Sequence, residues 1–339
     1  MNNPEIIEKI IHSIHLAQKN KISYEVIQSN ALASEYQHEF LFFIKPEITV
    51  QSESINLSGI LDLVFEKLEQ FKLQIKDIRM LTASYLERFD IIARHYGVIN
   101  ALSRKPYEFL SKEAAEKFKA VYGLSPEKAL LVGSIEFLQQ YPGHTPFSLD
   151  ELWQNCKSEK LAGGTYCAVL PVEGKNIYLI NGFHPKQLIH FTEQGRSIIA
   201  FTLAGELDWA VARNAFIGKT NPSEAVPGSL RNELFMRKLQ YGLQTVSSSQ
   251  NGFHLSAGPV EGLAELMRYC SDFSKGEVRT SDDFVFGQQL DLFFKKKEIE
   301  LICSNQLVEH QGEKIRTFDL TEEKNSADAI QLLRESIFI

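Results

Sequence analysis

GKTNPSEAVPGSLR, from Gly218 to Arg231, and NGFHLSAGPVEGLAE, from Asn251 to Glu265, are the two segments on which the reading of this chain turns. Taken alone, Pro222 and Pro227-Gly228 describe a rigid, turn-rich loop, because proline presets φ and glycine admits conformations closed to other residues. Gly218-Lys219-Thr220 has the ending of a phosphate-binding P-loop, but position 213, where that motif needs its first glycine, is Arg. There is no G-x-G-x-x-G, H-E-x-x-H or G-x-S-x-G in the chain, so dinucleotide-fold, zincin and serine-hydrolase templates find no support.

The second segment carries a nucleophile. A neutral imidazole, with an unperturbed pKa of about 6.5, keeps a lone pair at pH 7 and attacks phosphorus readily, which makes His254 the candidate. Phosphoryl transfer spreads negative charge over the equatorial oxygens, so a protein chiefly supplies position and positive charge. Arg231 and Lys45, the latter directly after the apolar run Phe40-Leu41-Phe42-Phe43-Ile44, are cations from separate segments. Singly, each has a plainer reading: His254 as a packed histidine, Arg231 as a surface ion pair, Lys45 as a strand-end residue with its stem along apolar surface.

Phe42-Phe43-Ile44-Lys45-Pro46-Glu47, the loop from Gly218 to Arg231 and the stretch from Asn251 to Glu265 together resemble the nucleoside diphosphate kinases. That family's pattern runs strand-K-P-D, then G-x-T-N-P-x-x-A-x-P-G-[ST]-[IL]-R, then N-x-x-H-x-S-x-S, with a Glu at the separation found here between His254 and Glu265. The resemblance implies an α+β fold, a ferredoxin-like β-α-β-β-α-β core with an antiparallel sheet, interrupted by a mixed α/β insertion. It implies a ping-pong kinase that uses ATP with Mg²⁺ to phosphorylate His254 and passes the phosphoryl group to a nucleoside diphosphate. The roles carried over are Lys45 near the γ-phosphate and ribose hydroxyl, Thr220 and Arg231 on the phosphates, Asn251 on the sugar, and Ser256 and Glu265 orienting His254. Tyr96 is expected beside the phosphohistidine, and Tyr107 or Phe109 where a base would stack. No side chain is assigned as a metal ligand. Nucleoside di- and triphosphates are the implied partners, and the implied assembly is a homo-oligomer.

Two departures bear on this. The residue four before Gly218, usually a phosphate-binding Arg, is Asn214, with Arg213 beside it as the nucleotide-binding candidate; and the usual H-G-S-D-S reads His254-Leu-Ser-Ala-Gly, which loses an acidic residue. Two alternatives therefore stay open: a phosphohistidine kinase with another acceptor, or a nucleotide-binding regulatory or scaffold module with weakened turnover.

Outward from these segments, periodicity gives an element order. Ile6, Ile7, Ile10, Ile11 and Ile14 form a helical stripe within Pro4 to Asn20, on which His12 and His15 are expected to face solvent. Glu39 to Ile44 reads as a buried strand, Leu57 to Phe71 as a helix, Leu73 to Leu81 as a strand, and Thr82 to Tyr96 as a helix. Helices are expected at Ser111 to Tyr122 and Glu127 to Gln140, a hairpin around Glu173-Gly174, a strand from Arg196 to Leu203 and a helix from Glu206 to Phe216. His184 and His190 are expected in loop or surface roles. The chain is accordingly divided into an N-terminal helical extension (1–37), two halves of a kinase-like core (38–100 and 196–275), an insertion (101–195) and a C-terminal extension (276–339).

With 339 residues, 44% hydrophobic and 23% charged, the chain can bury a large core. A net charge of −7 argues against wrapping nucleic acid or anionic lipid, while leaving room for a local basic pocket. Cys156, Cys167, Cys270 and Cys303 have no metal-ligand spacing and read as reduced thiols, and no stretch suits a membrane helix or a signal peptide. The expected compartment is the cytoplasm.

Overall fold

Phe40 to Ile44 lies within a strand whose seven residues, His38–Ile44 (β2), are all buried, which is why its sequence is continuously apolar rather than alternating. In the computed structural model β2 is flanked by Ser197–Gly205 (β4) and Phe253–Leu255 (β5), and Gln74–Thr82 (β3) and Tyr24–Ser29 (β1) complete the sheet. The order is β1-β3-β4-β2-β5 and every pair is antiparallel. The structure describes residues 3–19, 21–30, 36–50, 52 and 54–339, so Asn20 and part of the expected N-terminal extension lie outside the described residues. Two compact units are present: the chain up to Tyr85 and from Gln194 onward, and Leu86–Glu193.

In the larger unit, alternate strand residues serve opposite faces. Phe40, Phe42, Ile44, Ile78, Ile199 and Phe201 join one apolar core with Ile10 and Ile14 of helix Asn3–Gln18 (α1) and Ile60, Leu61 and Val64 of helix Leu57–Gln70 (α2). Asn56 caps α2 by accepting the Gly59 N–H. On the other face Phe43 stacks on Tyr269, the last residue of helix Pro259–Tyr269 (α3). Thr82 pairs with Ser197, and the Ala83 N–H donates to the Arg196 carbonyl at 2.9 Å, so β3 ends where β4 begins. The C-terminal part adds helices at Val285–Asp291, Lys296–Cys303, Thr317–Thr321 and Ser326–Arg334.

The smaller unit has its own four-stranded sheet, in the order Leu131–Gly133, Lys175–Ile180, Thr165–Val172, Ser158–Ala162, with its own buried side chains, among them Phe118, Leu131, Phe137, Trp153 and Leu179. Glu173 (φ 49°) and Gly174 (φ 75°) form its hairpin turn, both central residues taking the positive φ that a tight hairpin of matching twist requires.

Several expected elements differ. Thr82 to Tyr96 is not one helix: it stops at Arg88 and restarts at Ile91, because Asp90 lies in the left-handed region at φ 52°. Glu127 to Gln140 contains the strand Leu131–Gly133, paired in parallel with Lys175–Ile180, before a helix at Ser134–Gln140. The helix expected from Glu206 is a single turn at Trp209–Val211 that widens into a π-type turn over Ala212–Ile217. Strand β1 was not anticipated.

Candidate active site

β5 is short and lies at the edge of the sheet, so its outward carbonyls need partners other than a strand. Two arginines supply them. Arg231, at the start of the helix Leu230–Met236 that closes the 218–231 loop, donates Nη2 to the Phe253 carbonyl at 2.9 Å and Nη1 to the Gly218 carbonyl at 2.8 Å. Arg213, on the wide turn, donates Nη1 to the Leu255 carbonyl at 2.8 Å. Adjacent Asn214 instead bonds the Ala210 carbonyl, one turn back on its own helix. A π-type turn accommodates one residue more than an α turn, and here Arg213 is the neighbour that reaches β5. Burial foremost, and Arg213 next, push the Arg231 guanidinium below its ordinary range. Among the described residues the buried Nε of Arg213 and that of Arg231 have no hydrogen-bond partner.

Between those two carbonyls sits His254. Its ring stacks on Phe43, the residue paired with it across β2, at 4.4 Å and 19°. Its Nε2 lies 3.0 Å from Glu265 Oε2, and the Ser256 hydroxyl donates to the same oxygen at 2.5 Å. Glu265 and Ser256 are buried, whereas the His254 side chain keeps 17% of its exposure. A carboxylate accepts, so in this arrangement Nε2 carries the proton and the lone pair of the neutral ring is on Nδ1.

Lys45 follows β2, its backbone N–H donating to the Gly252 carbonyl. Its ammonium donates to Asn251 Oδ1 at 2.7 Å, and Asn251 donates in turn to the carbonyls of Thr220 and Ser248, both at 3.1 Å. Burial is the main cause that pushes the Lys45 ammonium down to about 8; Glu47 opposes the shift and Arg231 adds to it. Glu47 also accepts the Gly252 N–H at 2.8 Å. Thr220 contributes its carbonyl here, and the residue itself is exposed.

The larger unit thus gathers His254, Ser256, Glu265, Lys45, Asn251, Thr220, Arg231 and Arg213 around one edge of its sheet. Tyr96 belongs to the smaller unit, where its ring meets His184 and Phe191. Tyr107 is used structurally, its hydroxyl bonded to the Ala129 carbonyl and the Leu131 N–H; Phe109 is 53% exposed. His184 is buried, contrary to the loop or surface role expected, and burial pushes its imidazole down to about 4. Sequence reasoning did not find Phe43 as the ring beneath His254, because β2 is continuously apolar and shows no alternation that would tell its two faces apart. It also passed over Glu261, which accepts the Ala257 N–H at 3.2 Å.

The sheet and this edge define an α+β protein with a histidine–carboxylate pair amid buried cations. A nucleoside diphosphate kinase of Staphylococcus saprophyticus is 35% identical over 104 residues, covering 29% of this chain and 68% of the relative. The chain belongs to the nucleoside diphosphate kinase family, as a much larger and divergent member. No family model matches it. An NDP kinase structure from Pyrobaculum aerophilum aligns with 71% of this chain and 98% of its own length at 16% identity, with a TM-score of 0.32.

Proposed function

We propose that the chain transfers the γ-phosphoryl group of ATP to a nucleoside diphosphate through a phosphohistidine on His254. The observation that carries this reading is the Ser256–Glu265–His254 chain, which commits Nε2 to a buried carboxylate and leaves the lone pair on Nδ1. In the first half-reaction Nδ1 bonds to the γ-phosphorus as the bond to the β,γ-bridging oxygen breaks and ADP departs. In the second, a terminal oxygen of the acceptor diphosphate forms the new P–O bond as the N–P bond breaks. The Nε2 proton stays on the ring throughout, and the shared charge with Glu265 stabilises the positive ring of the intermediate.

Lys45 and Arg231 are read as the cations that meet the phosphates, with Arg213 taking the place of the missing helix arginine. The two arginines support an anionic ligand because they bring two positive charges to the strand edge that carries His254. Asn251 and Thr220 would then set the sugar and phosphates against Lys45. Mg²⁺, held on the nucleotide's phosphate oxygens, would neutralise charge there.

The order β2-α2-β3-β4-wide turn-β5, with β3-β4-β2-β5 antiparallel, supports a ferredoxin-like core to which β1 adds a strand. We place the inserted unit at Leu86–Glu193 in place of 101–195.

The test is incubation with γ-labelled ATP. Acid-labile label is expected on the wild type, absent from His254→Ala, and chased by added nucleoside diphosphate. Nucleotide binding with no label would make the protein a regulatory module, and label that diphosphates do not remove would point to another acceptor.

A further inference from the structure

Between β5 and α3 the chain passes through Ser256-Ala257-Gly258, and this connector is gripped from the far C-terminal part. The Ala257 N–H donates to Glu261 Oε2 at 3.2 Å, while the Ala257 carbonyl accepts the backbone N–H of Glu323 at 2.9 Å. One peptide unit on, Gly258 lies so close to the same segment that a Cβ would fall 2.4 Å from the Thr321 carbonyl oxygen. Glu323 itself holds φ at 56°, a conformation that costs a non-glycine residue energy and persists only where its surroundings enforce it.

The segment is pinned nearby. Asn325 accepts the Trp209 N–H at 3.1 Å and donates to Asp208 at 2.6 Å; Ser326 shares a 2.8 Å hydrogen bond with His38 Nδ1 at the start of β2. The start of α3 needs such help. Gly258 offers no capping side chain and Pro259 no N–H, so Glu261 reaches back from the first turn as a capping residue would. The charged groups around Glu261 are Glu265 one turn along α3, Arg213 on the wide turn and Glu322 on the C-terminal segment.

We propose that Thr321–Ser326 is a positioning strap for the phosphoryl-transfer site. Holding the Ala257 peptide between Glu261 and Glu323, it fixes both residues that orient His254: Ser256, just before the connector, and Glu265, two turns into the helix that follows it. The catalytic consequence rests on the phosphohistidine reading above; the geometric one does not.

The test uses the full-length chain and four variants: Asn325→Ala and Ser326→Ala, which loosen the strap, Glu261→Ala, which removes the acceptor for Ala257, and Glu261→Gln, which keeps one. In Asn325→Ala and Glu261→Ala, single-turnover labelling of His254 at saturating ATP falls about 10-fold with nucleotide affinity within about twofold, since small misplacements of reacting groups cost rate rather than binding. Glu261→Gln restores the wild-type rate. Independently, the Nε2–H proton of His254, followed by NMR, exchanges with solvent about 10-fold faster in Asn325→Ala and Glu261→Ala. Folded Asn325→Ala and Glu261→Ala proteins with wild-type labelling and exchange would overturn the strap; if Asn325→Ala does not fold, Ser326→Ala takes its place. Faster exchange in variants of a protein that never accepts label would leave the strap standing and remove the phosphotransfer reading.

Discussion

Lys45 carries its charge in surroundings that disfavour it, and that makes its contribution dependent on pH. Its ammonium titrates at about 8, chiefly through burial, so it is charged at neutral pH and loses the charge as pH rises through that value. Affinity for a nucleotide triphosphate, measured by calorimetry, is therefore expected to fall from pH 7 to pH 9. Lys45→Met should bind roughly 100-fold more weakly at pH 7, equivalent to about 3 kcal/mol, and show no step at pH 8. Glu261 titrates in the opposite sense. Burial first, and then Glu265, raise its carboxyl to about 8, above the ordinary value of 4.5. The folded chain then binds more protons than the unfolded chain between these limits, and stability falls as pH rises through that window. Glu261→Gln should match the wild type in Tm near pH 4.5 and exceed it increasingly toward pH 8. His254, Ser256 and Glu265 were legible because their spacing is local, spanning one strand and one helix. Glu261 was not, because its partner Ala257 becomes visible only when the connector is folded.

At the scale of elements, the 218–231 loop depends on Gly218. It sits at φ 87°, and a Cβ there would lie 2.4 Å from Ser229 Oγ and 2.9 Å from the Ala225 Cβ. Gly218→Ala is expected to destabilise the fold by about 2 kcal/mol or more in urea titration. It should also weaken nucleotide binding, since the Gly218 carbonyl holds Arg231. α2 was readable because it is long enough for its period to repeat, and β2 and β4 because each is an apolar run buried along its length. The strand Leu131–Gly133 has three residues, too few to show a period, and was absorbed into a helix. Tyr24–Ser29 lies at a sheet edge, half-exposed along its length, and carries no clean alternation. The wide turn at Ala212–Ile217 left no mark in composition, although its effect, reaching β5 with Arg213 rather than Asn214, was the register change that the displaced arginine had hinted at.

On the scale of the molecule, each unit owns a separate core, so unfolding is not expected to follow a single two-state transition. Scanning calorimetry should resolve two transitions, and Phe118→Ala, which empties a fully buried site in the smaller unit at a cost of about 3–5 kcal/mol, should lower only one of them. Along the sequence a change of texture marks an insertion; Gly195 adjoins Gln194, whereas Tyr85 lies in a stretch, Thr82 to Tyr96, with no proline or glycine to mark a boundary. The sheet order has one more effect, on biosynthesis. β4 is the central strand, yet it follows the whole Leu86–Glu193 excursion. A nascent chain leaving the ribosome thus presents Phe40-Leu41-Phe42-Phe43-Ile44 long before the strand that covers its flank has been translated. Throughout that delay a bare apolar edge is open to neighbouring polypeptides, and the protein's yield in the cell should depend on chaperones that shield it.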